Sequence, residues 1–205
     1  AIHPPFKKSD DIHTHIRKIT DPASVIGLTG RIDLLDEVRK LAYERWQHVR
    51  QQINRDYFVG CVMGACAKAT VLCGHTDAFR HICAVQKYLS YDVSVAVCRV
   101  GTVEMLESYS RGSYSLGVNV AAESGNIDVM RRLYQRGIGS SLLNDRLALI
   151  VQRGYDEIIR QLFEWRIITP TEDSKGLVMD AAVRGGRVST LRLLHEVGWK
   201  HHTEM

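Results

Sequence analysis

Six glycines, Gly30, Gly74, Gly101, Gly125, Gly154 and Gly186, recur along this 205-residue chain, each followed by the same order of acidic and apolar residues. That self-similarity limits the fold more than any other feature, because a short repeated unit cannot bury its own apolar stripe and must stack on its neighbours. Three residues after five of the six glycines stands an acid, Asp33, Asp77, Glu104, Asp128 and Glu157, with Ser189 in the sixth unit. A carboxylate or hydroxyl there suits a helix start, where it can accept the free N–H groups of the first turn and oppose the positive end of the helix dipole. Paired positions follow four and five residues on: Leu34-Leu35, Ala78-Phe79, Met105-Leu106, Val129-Met130, Ile158-Ile159 and Thr190-Leu191. Eight residues on come Val38, Ile82, Tyr109, Leu133, Leu162 and Leu194, a spacing that lines one face of a helix.

Small or apolar pairs also precede each glycine by four and three residues, among them Ile26-Gly27, Ala121-Ala122 and Ala182-Val183. Each unit therefore reads as a helix, a tight glycine turn, a second helix and a loop, the glycine supplying a positive φ or a close backbone approach. The spacings between anchors are 44, 27, 24, 29 and 32 residues. The long first interval predicts a lengthened second helix or an extra helix between Leu34 and Gln52, where no breaker interrupts the text. The expected fold is an all-α solenoid of about six stacked helix-turn-helix units over residues 21–199. A partly flexible leader, 1–20, and a tail, 200–205, flank it.

The stretches Ala121 to Ile138 and Ala182 to Trp199, with their small pair, glycine, downstream acid or hydroxyl and apolar second helix, resemble the ankyrin repeat. The resemblance spans roughly Asp21 to Trp199. It departs from the family at the start of the first helix, where Leu116-Gly117-Val118-Asn119 and Leu177-Val178-Met179-Asp180 replace the usual Thr-Pro-Leu-His. Most units are also shorter than the family period of about 33 residues, so irregular turns are expected in place of some hairpin loops. The resemblance implies a non-catalytic protein-protein interaction scaffold, which recognises another protein through a concave side of first helices and loops. Divergent arrays of this kind also occur in large DNA viruses and microbial pathogens, which extends the expectation to a host-interaction role. A HEAT-like or TPR-like helical adaptor is the alternative array.

Composition narrows the remaining classes. Hydrophobic residues make up 45% and charged residues 24%, spread along the whole chain, as in an ordinary folded protein. A formal charge of +4, with acids interleaved among the bases, does not call for nucleic acid as a partner. The longest apolar stretch, around Tyr57 to Gly74, is broken by Lys68, so no membrane span is expected. The first eight residues lack the basic, apolar, small-residue order of a signal peptide. Five cysteines, Cys61, Cys66, Cys73, Cys83 and Cys98, sit in apolar helical text without the short clips that grip zinc. They read as buried small hydrophobes in a reducing compartment, the cytoplasm or nucleus.

His13-Thr14-His15 and His201-His202 invite a metal reading, and with the cysteine cluster they define the enzyme alternative, metal-dependent or thiol-based. Neither pair has the further ligands at fixed places that a metal site needs. No phosphate loop or nucleophile elbow is present. No enzyme activity, cofactor or metal is therefore expected. Partner binding is placed on Arg111, Tyr114, Asn119, Glu123, Arg153, Trp165, Asp180, Arg184 and Trp199, which lie before the anchors or in the loops and include the aromatic and arginine types that dominate interface hot spots. Arg131, Arg132 and Arg136 with Arg184, Arg187 and Arg192 could line up as a basic stripe, but a solvated outer face is the expected reading.

Overall fold

The computed structural model describes residues 27, 29–49, 54–86, 89–138 and 144–199. The expected leader and tail, with His13, His15, His201 and His202, lie outside the described residues. Among the described residues the chain is all-helical, with no strand. A 3-10 turn, Ile32–Leu34, leads into α1 (Leu35–Val49), followed by α2 (Arg55–Leu72), α3 (Thr76–Val85), α4 (Tyr91–Val100) and α5 (Val103–Ser108). Then come α6 (Gly117–Ser124), α7 (Ile127–Gln135), α8 (Asn144–Arg153), α9 (Asp156–Glu164), α10 (Glu172–Arg184) and α11 (Val188–Glu196). The 15-residue α1 fills the long first interval, as its uninterrupted text requires.

Each of the last five anchor glycines falls in the break between two helices, and Gly30 stands just before the 3-10 turn. Gly125 shows why: it closes α6 with φ +83°, where a side chain would be strained, and its N–H bonds back to Ala122. Gly101 is the exception. Its φ is −73°, and glycine is needed there for space, because a Cβ would lie 2.7 Å from the Val97 carbonyl oxygen.

Helix starts are capped differently from the expectation. Asp77, Glu104, Asp128 and Glu157 lie inside the first turn, favourable to the dipole, yet they accept none of its side-chain caps. Capping comes instead from the residue directly after the glycine where its chemistry allows. Thr102 accepts from Met105 N–H at 3.2 Å and Asn126 accepts from Val129 N–H at 3.4 Å. The displaced acids are free to form ion pairs with neighbouring helices.

The described residues divide into two compact units, one reaching to residue 113 without 98–100, the other made of 98–100 and the residues from 114 on. In the first, α2 packs against both α1 and α3, and α3 packs against α5. Its core holds Leu35, Phe58, Val62, Met63, Phe79, Ile82, Met105 and Leu106, all essentially inaccessible to water. Phe79 meets Tyr109 edge-on, with ring centroids 6.4 Å apart, and the Tyr109 hydroxyl donates to the Leu89 carbonyl at 3.1 Å. Small residues bring helical backbones together here, since a Cβ on Gly27 would lie 2.6 Å from the Cys66 carbonyl oxygen on α2.

In the second unit, α6 pairs with α7, α8 with α9 and α10 with α11; α8 lies between α6 and α10, and α9 packs against α11. The apolar positions after each glycine are buried as their spacing requires: Val129, Met130 and Leu133, then Ile158, Ile159 and Leu162, then Leu193 and Leu194. Thr190 takes the place of a branched apolar residue in the last pair. It is fully buried because its hydroxyl donates to the Asp156 carboxylate at 2.5 Å, which satisfies the one polar group it brings.

Candidate partner-binding surface

Two of the nine residues expected to contact a partner are withdrawn from the surface. Tyr114 is only 6% exposed, and Trp199 only 1%. Trp199 packs edge-on against Phe163 of the preceding pair, ring centroids 5.0 Å apart. Trp165, half-buried, stacks flat on Tyr134 at 4.0 Å and 7°. The loop aromatics of the second unit thus join consecutive pairs, since burying two large rings against each other removes more apolar area from water than exposure to a loop would.

Glu123 and Arg153 also join neighbouring pairs. The Glu123 carboxylate accepts from Arg146 on α8 at 2.7 Å, and its backbone carbonyl accepts from Arg153. The basic stripe is broken in the same way. Arg131 donates to Glu157 at 2.8 Å and to Gln161 at 3.0 Å, both on α9, while the Arg187 side chain lies against Gly154. These arginines hold helices together rather than forming a continuous cationic face.

What remains exposed lies mostly on the first helices of the second unit. Asp180 and Arg184 are exposed on α10, and Asn119 is half-buried on α6. Arg111 is exposed in the first unit, after α5. Sequence reasoning missed the most informative residues, Leu116 beside the start of α6, Leu149 on α8 and Leu177 on α10, exposed to 53%, 41% and 37%. All three lie on, or directly before, helices that pack side by side through α8, and Arg146, Arg153, Asp180 and Arg184 lie on those helices. Their apolar character was visible in the sequence. That they face water was not, because each falls within a run of apolar residues whose other members form the core.

The cysteines behave as core residues with one exception. All five are free thiols; Cys66 and Cys98 are buried, Cys61 and Cys83 half-buried, and Cys73 is exposed. Burial pushes the thiols of Cys66, Cys83 and Cys98 up to about 12 and raises that of Cys61, against a slight lowering by Tyr57. Desolvation favours the neutral thiol, the opposite of what an activated nucleophile requires. Among the described residues no three His, Cys, Asp or Glu side chains are grouped as metal ligands, and no helix is long and apolar enough to cross a membrane. Set against known protein families, curated proteins and solved structures, the chain matches none.

Proposed function

We propose that this chain is a non-catalytic protein-binding scaffold built as an array of ankyrin-like helical pairs, with the first helices of its second unit as the recognition surface. The observation that carries the reading is the set of exposed leucines, Leu116, Leu149 and Leu177, on or directly before neighbouring first helices that also carry exposed charged residues. Large apolar side chains exposed on successive first helices, among polar residues of the same helices, are the composition of a protein-binding patch. The recurrence of helix, glycine turn and helix, and the packing of α6, α8 and α10 in series, support the ankyrin-like reading of the array. Asp180 and Arg153 supply the polar rim. Five free thiols, three with strongly raised pKa, fit a reducing compartment, the cytosol or nucleus.

The test is affinity capture from a cell extract with the wild-type chain and with the triple variant Leu116→Glu, Leu149→Glu, Leu177→Glu. Because these side chains are exposed, the helical circular dichroism spectrum should be unchanged, while proteins retained by the wild type should be lost by the variant. Identical retention by both chains would remove this surface as the recognition site.

A further inference from the structure

We propose that the outer side of the last helical pair, α10 and α11, is a second docking face, for a partner presenting an amphipathic helical pair with acidic edges. This face is distinct from the leucine-bearing surface and does not depend on it.

What covers its counterparts inside the second unit defines the face. Ala122 and Val151, three residues before Gly125 and Gly154, are fully buried, whereas Val183 at the same place before Gly186 is 61% exposed. Met130 and Ile159, five residues after their glycines, are fully buried, whereas Leu191 is only half-buried. Val188 adds a further apolar side chain at 61% exposure. Gly125 lies under the ring of Tyr155, and Gly154 under the side chain of Arg187, each the first residue after the glycine of the next pair. Among the described residues nothing lies within 4 Å of the corresponding place at Gly186. The last described pair therefore offers the apolar seat that each earlier pair of this unit offers to its successor, and an exposed apolar seat gains by being covered.

Charge specifies the occupant. Where α8 and α9 seat on α6 and α7, two ionic links flank the apolar contact, Arg146 to Glu123 and Arg131 to Glu157. In the last pair the places of Glu123 and Arg131 are held by Arg184 and Arg192, both exposed and neither with an ion-pair or hydrogen-bond partner among the described residues. A helical pair that seats here satisfies both guanidiniums only by bringing a carboxylate to each, one where Arg146 stands and one where Glu157 stands. A second copy applied through the same face would oppose four guanidiniums across the contact, and like charges there are costly.

The probe is a synthetic peptide of residues 144–166 of this chain carrying Arg146→Glu, with its helices stapled so that their ordering does not limit binding. Fluorescence anisotropy should show saturable binding to the full chain, about tenfold tighter than for the same stapled peptide retaining Arg146. Val183→Asp and Arg192→Glu in the full chain should each weaken binding by about tenfold while leaving the thermal melt unchanged. The double variant Leu116→Glu, Leu149→Glu should bind the peptide as the wild type does. No binding, equal binding of both peptides, or indifference to Val183→Asp would overturn the proposal. So would a concentration-dependent dimer in sedimentation velocity that Val183→Asp abolishes, which would assign the face to a second copy.

Discussion

Burial pushes the thiols of Cys66, Cys83 and Cys98 up to about 12 from an ordinary value of 9.0, because each would have to ionise away from water. A group whose pKa is raised on folding keeps its proton in the native state after the unfolded chain has lost it. The stability these thiols contribute is complete below pH 9 and is lost as pH rises from there toward 12. The melting temperature is expected to fall progressively above pH 9, and more gently in the variant Cys66→Ala, Cys83→Ala, Cys98→Ala. Parallel slopes for the two proteins would show that the thiols are not responsible. The sequence placed these cysteines in apolar helical text, and thus in the core; it could not single out Cys73, which the turn before Gly74 leaves exposed.

At the level of helices, local chemistry and close approach can be separated by substitution. Asn54 caps α2, its side chain accepting from Asp56 N–H at 2.8 Å and Tyr57 N–H at 3.4 Å from an exposed position. Asn54→Ala is expected to lower the unfolding free energy by about 1 kcal/mol in urea titration. Two glycines near either end of α10 should respond in opposite directions. Gly176 is an exposed helical residue with nothing within 4 Å of an added Cβ, so Gly176→Ala should stabilise by about 0.5–1 kcal/mol. A Cβ on Gly185 would lie 2.4 Å from the Gln152 carbonyl oxygen on α8, so Gly185→Ala must push two helices apart, at a cost of about 1–3 kcal/mol. Equal effects would mean that α8 and α10 do not approach this closely. The helix pairs, their glycine breaks and the long α1 were all legible in the sequence. The caps were not assigned correctly, because an acid three residues after a glycine looks like a cap until the helix is seen to begin one or two residues earlier.

Across the whole molecule, apolar cores rather than exposed ion pairs carry the cohesion. Arg80 pairs with Glu104 in the first unit and Arg131 with Glu157 in the second, each six residues after one glycine meeting an acid three residues after the next. The side chains in these pairs are 39% to 65% exposed, so each pair contributes no more than about 1 kcal/mol and is weakened by salt. Raising NaCl from about 0.1 to about 1 M should therefore move the thermal midpoint little. By contrast, Ile159→Ala, at a fully buried position, should cost about 2–5 kcal/mol. A melt that collapsed in salt would show that the ionic links, and not the cores, hold the helices together.

Periodicity within a helix is a local property, so the sequence alone determined that glycine-centred pairs form, where they break, and which residues can share an apolar side. Which of those sides meets a neighbour depends on segments far apart in the chain, and only tertiary packing decided it. Val151 and Leu149 stand two residues apart on α8, one fully buried and the other 41% exposed. Trp199 could face water or fold inward, and it folds against the ring of Phe163. Val183 matches Val151 in its unit but stays exposed, for no described helix packs beyond the last pair. Burial is a property of two surfaces, and a sequence pattern describes only one of them at a time.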